Sequence, residues 1–263
     1  MILPLWLLGT LLVGGTTLAT VAALWWVRRL VPPERLRAHH DVGGFILGVI
    51  GAIYAILLAF VVLVVWERYG EAEIIAEREA NALIDIYRLA PGLPEPIKVK
   101  IRAGARDYAK RVIAAEWPAM NRGAIDDGTT HALDQLWRDS MGVKAEDSRE
   151  TAIFGHLLDR LIDVSDNRQL RLLASRTGIQ GTMWLVLAIG GVATLVFTFY
   201  FGVERFAVQA GMTALLATLI SLVLFLISAL NFPFTGDLKV ESEAMQTTLV
   251  RFDIIEKHEA SEH

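Results

Sequence analysis

Residues 42–90 read VGGFILGVIGAIYAILLAFVVLVVWERYGEAEIIAEREANALIDIYRLA. No Asp, Glu, Lys, Arg or His occurs from Val42 to Trp66; beyond Trp66 charges are frequent, yet no proline intervenes before Pro91. Ala76, Ala80, Leu83, Tyr87 and Ala90 recur at the three-and-four spacing of one helical face. The stretch predicts one helix of almost 50 residues, roughly 70 Å long, that crosses a bilayer and runs on into water, with Gly70 its weak point.

Three more apolar runs flank this helix. Residues 1–27 carry no charge before Arg28, and Trp6 and the Trp25-Trp26 pair stand near opposite ends, as in an interfacial aromatic belt. A secretory signal peptide fits poorly, since a positive leading region is missing and the apolar run is too long; the reading is a retained span. Spans three and four cover 183–203 and 207–230, separated by Glu204 and Arg205 in a tight hairpin. An ionisable side chain at mid-membrane costs about 2.5–3.5 kcal/mol on insertion scales. Four spans without one insert easily, and they lack the usual mark of a proton-coupled transporter.

Residues 67–182 form a hydrophilic block holding 17 of the 25 basic and 19 of the 29 acidic residues. Apolar residues recur there at helical spacing, punctuated by Pro91-Gly92, Pro94, Pro96, Pro118 and Thr177-Gly178. Four helices, alternately leaving and returning, are expected: the end of span two, one over Ile97 to Val112, one carrying Leu133 to Met141, and one capped near Asp147. Residues 28–41 make a short basic loop, and 231–263 a polar, mainly acidic tail in which Phe232 and Phe234 stay in the interface. The fold class is therefore all-α: four transmembrane helices with a helical bundle inserted between spans two and three. The net charge of −4 gives no field for nucleic acid. The chain has no cysteine, which removes disulfides and thiolate chemistry.

Positive charge sets orientation. Arg28, Arg29, Arg35 and Arg37 crowd residues 28–41, whereas Arg168, Arg171 and Arg176 precede span three as a counterweight. The first-span bias puts the basic loop in the cytoplasm and the bundle on the other side of the membrane.

Val42-Gly43-Gly44-Phe45, the run Phe60 to Glu67, Glu77-Arg78-Glu79-Ala80-Asn81-Ala82-Leu83, Glu116-Trp117-Pro118-Ala119-Met120 and Pro233-Phe234-Thr235-Gly236-Asp237 resemble the bestrophin-like family of bacterial integral membrane proteins. The resemblance spans nearly the whole chain. It implies an oligomeric ion channel whose second span lines the pore and continues into a soluble helical domain. True bestrophins conduct anions and keep that domain in the cytoplasm, which conflicts with the charge argument.

Against that background Phe45, Val49, Ile53 and Phe60 are candidates for a pore-lining face or apolar gate on span two. Gly44, Gly48, Ala52, Ala55 and Ala59 form a small-residue stripe suited to helix packing. Glu67 and Glu71, where the helix leaves the membrane, and Arg168, Arg171 and Arg176, before span three, are candidates for a charged mouth. The same groups also read as a solvated face and as headgroup anchors. Lys98, Arg102, Arg106 and Lys110 recur every four residues, joined by Lys100 and Arg111; four like charges on one face repel, and a carboxylate row on a neighbouring helix is the expected partner. His39-His40-Asp41 has metal-ligand residue types, but adjacent side chains seldom converge on one ion. No catalytic, cofactor or metal site is read from the sequence, and an enzyme is not expected. The partners expected are the bilayer, further copies of the chain and inorganic ions. The leading function is an oligomeric ion channel, anions slightly ahead of cations. The alternative is a non-conducting sensor or scaffold whose bundle binds a partner.

Overall fold

A computed structural model describes residues 5–31 and 40–261. Arg35, Arg37 and His39 lie outside the described residues, as do the side chains of His40 and Asp41. The described regular elements are all helical: α1 Leu5–Leu30, α2 His40–Leu89, α3 Ile97–Arg111, α4 Trp117–Met120, α5 Asp127–Met141, α6 Ser148–Arg176, α7 Gly181–Phe199, α8 Phe206–Leu230 and α9 Glu243–Ser261. Four helical stretches are long and apolar enough to cross a membrane. The chain divides into two compact units, residues 1–67 with 178–231, and 68–177 with 232–263.

In the first unit α1 lies along α8. Lipid supplies no hydrophobic drive between helices, so close approach and hydrogen bonds must hold them. Gly9 gives the approach, because a Cβ there would fall 2.9 Å from Cζ of Phe225. The Thr16 and Ser221 hydroxyls sit 2.6 Å apart, and those of Thr17 and Thr218 3.0 Å apart. Arg28 and Arg29, assigned to the loop from sequence, complete the last turn of α1, where cations offset the helix dipole. Arg28 donates to Gln209 Oε1 and to the Glu204 carbonyl, both at 3.2 Å. Gln209 in turn donates to the Thr198 and Phe201 carbonyls at 3.1 and 2.7 Å. A buried amide at the start of α8 thereby ties together the carbonyls at and just beyond the end of α7.

The membrane part of α2 buries one stripe, Tyr54, Leu58, Val61 and Val65, at helical spacing. Tyr54 is the span's only polar side chain before Trp66, and its hydroxyl donates to the Leu187 carbonyl at 2.9 Å. The side chain fills a notch at Gly190 and Gly191, where an added Cβ would stand 2.6 Å from the ring and 2.9 Å from the hydroxyl.

The second unit has one core, supplied by Leu83, Ile86 and Tyr87 of α2, Ile101 and Tyr108 of α3, Leu136 of α5 and Leu157, Leu161 and Val164 of α6. Asp126 caps α5 by accepting from the Thr129 N–H, and Asp147 caps α6 by accepting from the Glu150 N–H, both at 2.7 Å.

The tail departs from the sequence reading. Residues 243–261 fold as α9, whose narrow stripe of Met245, Thr248 and Phe252 enters the same core. Phe234 is buried there too, instead of resting in an interface, with its ring edge-on to Trp117 at 5.7 Å. Acidic residues masked the tail's amphipathicity, and α9 supplies the carboxylate row expected for the basic face of α3. Arg102 grips Glu259 through two nitrogens at 2.5 and 2.7 Å, and Arg106 reaches Asp253 at 2.7 Å and Glu256 at 3.2 Å. Tyr87 stacks on Phe252, ring centroids 3.9 Å apart.

Replacing Gly190 by Leu should lower stability in detergent by about 1–3 kcal/mol through overpacking against Tyr54. Tyr54→Phe should cost about 0.6 kcal/mol, the mean for one interhelical hydrogen bond in a membrane protein. Denaturant titration of the two variants checks the order; equal effects would show that the notch is not tight.

Candidate functional site

Exposure divides α2 sharply within the membrane unit. With Tyr54, Leu58, Val61 and Val65 turned inward, Phe45 (75% exposed), Val49 (45%), Ile53 (65%) and Phe60 (63%) are left on the opposite side, uncovered by the chain. On an ideal helix these four and the small-residue stripe of Gly44, Gly48, Ala52, Ala55 and Ala59 occupy adjoining parts of that outward surface. Among the described residues the small-residue stripe is left largely open. A Cβ at Gly44 or Gly48 would meet nothing within 4 Å, and Ala52, Ala55 and Ala59 are exposed. Ala55 and Ala59 floor an open apolar groove of about 540 Å³, bordered by Leu63, Trp66 and Val223. Bulky Tyr54 outcompeted the small residues because its ring and hydroxyl both found complements on α7.

The charged candidates separate into two groups. Glu67, Glu71 and Arg176 are exposed. Arg168 and Arg171 are not at a mouth: they are buried in the second unit, Arg171 completely. The Arg171 guanidinium donates to Glu79 from Nε at 2.6 Å and Nη2 at 3.0 Å, to Glu116 from Nη2 at 2.7 Å, and to Sδ of Met120 from Nη1 at 2.8 Å. Its other face lies 4.8 Å from the Trp117 ring centroid. Arg168 pairs with the same Glu116 carboxylate and donates to Oγ1 of Thr130 at 2.9 Å. Tyr108 donates to Glu79 at 2.6 Å. Two carboxylates and two guanidiniums thus neutralise one another, and no buried side-chain nitrogen or oxygen among the described residues lacks a partner.

Local structure brings these groups together. Pro118 has no N–H and its ring crowds the carbonyl four residues back. The turn before it opens into a π-helical segment, Val112–Glu116, with the Trp117 N–H bonded to the Val112 carbonyl. The widened turn admits both Glu116 and Trp117 to the interior, where Trp117 Nε1 donates to the Val240 carbonyl at 3.0 Å. Burial works against the Arg171 charge, yet the Coulombic pull of Glu79, its hydrogen bonds and then Glu116 hold the guanidinium's pKa above its ordinary value. Burial first, then the negative charge of Glu79, pushes the Tyr108 phenol well above its usual range, so Tyr108 stays a donor.

The sequence reading missed Glu79 and Glu116 as partners of the two arginines. The available signal was pairing by type: charges within otherwise apolar helical stripes, with cations elsewhere at matching positions. It also missed the Arg28–Gln209 node, although Gln209 is the only amide within α8.

The fold and its charged core define an all-α multi-pass membrane protein carrying a helical bundle between its second and third spans. The chain belongs to the bestrophin-like family, whose domain matches residues 14–245. No curated protein matches it in sequence. Its fold is similar to that of a bacterial bestrophin homologue from Klebsiella pneumoniae, solved with several point mutations and by Zn-SAD phasing. One point mutant aligns with a TM-score of 0.69 at 13% identity over 91% of this chain and 98% of that one. A second mutant gives 0.67 at 12% over 91% and 97%, and the form phased by Zn-SAD gives 0.65 at 13% over 94% and 96%. Three of the stretches that carry the family resemblance meet in the buried cluster: Glu79 from the first, Glu116, Trp117 and Met120 from the second, and Phe234 from the third.

Arg171→Ala should destabilise the protein by about 3–5 kcal/mol, because two carboxylates lose their buried partner. Arg160→Ala, which breaks a half-exposed pair with Asp163, should cost at most about 1 kcal/mol. Urea unfolding followed by tryptophan fluorescence distinguishes the two.

Proposed function

We propose that the protein is a homo-oligomeric ion channel of the bacterial inner membrane in which α2 lines the conduction path. The observation that carries the proposal is the sidedness of α2. One stripe is committed to its own chain through Tyr54, and the other leaves Phe45, Val49, Ile53 and Phe60 free to surround an axis when copies assemble. A ring of such side chains makes an apolar constriction that gates by wetting, while the small-residue stripe beside them lets neighbouring backbones approach. Membership of the bestrophin-like family supports the same assignment.

The expectation of anions came from the resemblance to true bestrophins, with basic clusters at the mouth beside it. With Arg168 and Arg171 neutralised inside the bundle, Glu67 and Glu71 are the exposed charges nearest the end of the span on α2 besides Arg68, and a ring of carboxylates attracts cations. This supports cation over anion passage. The charge of residues 28–41 supports an extracytoplasmic bundle.

Purified oligomers in liposomes should pass monovalent cations, and Glu67→Gln with Glu71→Gln should lower the cation-to-anion flux ratio. Single cysteines replacing Val49, Ile53 or Phe60 should react with water-soluble thiol reagents. Intact oligomers that carry no flux under any gradient, with all three cysteines protected, would leave the sensor or scaffold reading in its place. A single Ala103→Cys, at an exposed position of α3 in a chain without other cysteines, should be labelled by an impermeant maleimide on spheroplasts; labelling only after lysis would reverse the orientation.

A further inference from the structure

The second unit has a groove of about 200 Å³ between α2 and α6. Ala72 and Ile75 line it from α2, Leu170, Leu173 and Ala174 from α6, and Pro233 borders it; Arg68, Glu71 and Thr177 stand at its rim. Leu173 is 60% exposed and Leu170 47%, so two large leucines, one helical turn apart, lie open beside the groove. An open apolar patch with a polar rim marks a contact with lipid or protein.

Position along the chain selects lipid. Trp66, the last residue of the apolar run, precedes Arg68 by two residues and Glu71 by five, about 3 and 8 Å of helix. At the other wall α6 ends at Arg176, and the membrane-spanning α7 begins at Gly181. The polar layer on each side of the hydrocarbon is about 5–8 Å thick, so the rim of the groove falls in the layer that holds lipid phosphates. Charge agrees with this. Arg176 lies three residues beyond Leu173, on the same side of α6, is exposed, and has no ion pair among the described residues.

We propose that this groove binds an anionic phospholipid, with the phosphate at Arg176 and part of one acyl chain over Leu170, Leu173 and Ala174. The site would tie the membrane-proximal turns of α2 to those of α6, and it is independent of whether α2 lines a pore.

Native mass spectrometry of the full-length protein, released from detergent after incubation with phosphatidylglycerol and phosphatidylcholine of identical chains, tests the proposal. The wild type should retain phosphatidylglycerol about fivefold better, the preference expected for one arginine at an anionic headgroup. Arg176→Gln should level that preference. Leu173→Asp, at an exposed position that leaves the core untouched, should remove the bound lipid altogether. Equal retention of the two lipids by the wild type would overturn the proposal, as would retention unaltered by both substitutions in variants with unchanged melting temperature.

Discussion

The bundle depends on a charge-neutral cluster in a place without water. Glu79, Glu116, Arg168 and Arg171 are each too costly to bury alone, since an ion leaving water loses several kcal/mol of solvation. Together they are tolerable only with the geometry seen, in which every guanidinium N–H that faces a carboxylate meets an oxygen and Tyr108 takes up a remaining lone pair. The condition is strict. It ties the helix that continues from span two to the π-helical turn before Pro118 and to the last long helix of the bundle. No one of these can shift without stranding a charge. Three of the five stretches that carry the family resemblance contribute residues to this cluster.

A similar economy governs α2 in the membrane. Hydrophobicity cannot choose which side of an apolar helix faces a neighbour when lipid is the competitor, so shape and a single hydrogen bond decide. Tyr54 enters the Gly190-Gly191 notch and fixes the rotation of the helix. The outward face is defined by that choice, and the proposed pore assignment follows from it. The Arg28–Gln209 node and the threonine and serine pairs between α1 and α8 do comparable work elsewhere in the same unit.

Much of this could be read directly from the residues. Long uncharged runs announce spans, because the bilayer penalises every exception. The continuity of α2 was visible in the missing proline, and the helix cap at Asp147 is a local signal that needs no tertiary knowledge. What escaped were pairings over distance. Arg168 and Arg171 stand beside Arg176 in a basic run, and nothing local separates two buried ions from one exposed one. That distinction is made by Glu79, 92 residues from Arg171, and Glu116, 55 residues from it. The amphipathicity of α9 was hidden for a related reason: its carboxylates suggest solvent until the arginines of α3 are placed opposite them. GxxxG leaves its partner open as well, because a small-residue stripe states that close approach is possible without naming the partner.

The central claim is that the uncommitted face of α2 surrounds an axis shared by several copies. A cryo-electron-microscopy structure of the protein in lipid nanodiscs tests it most directly. The account predicts a closed ring with an axial gap bordered by Phe45, Val49, Ile53 and Phe60 from every subunit. A ring whose second helices lie at the periphery, with those four side chains against acyl chains, would contradict it.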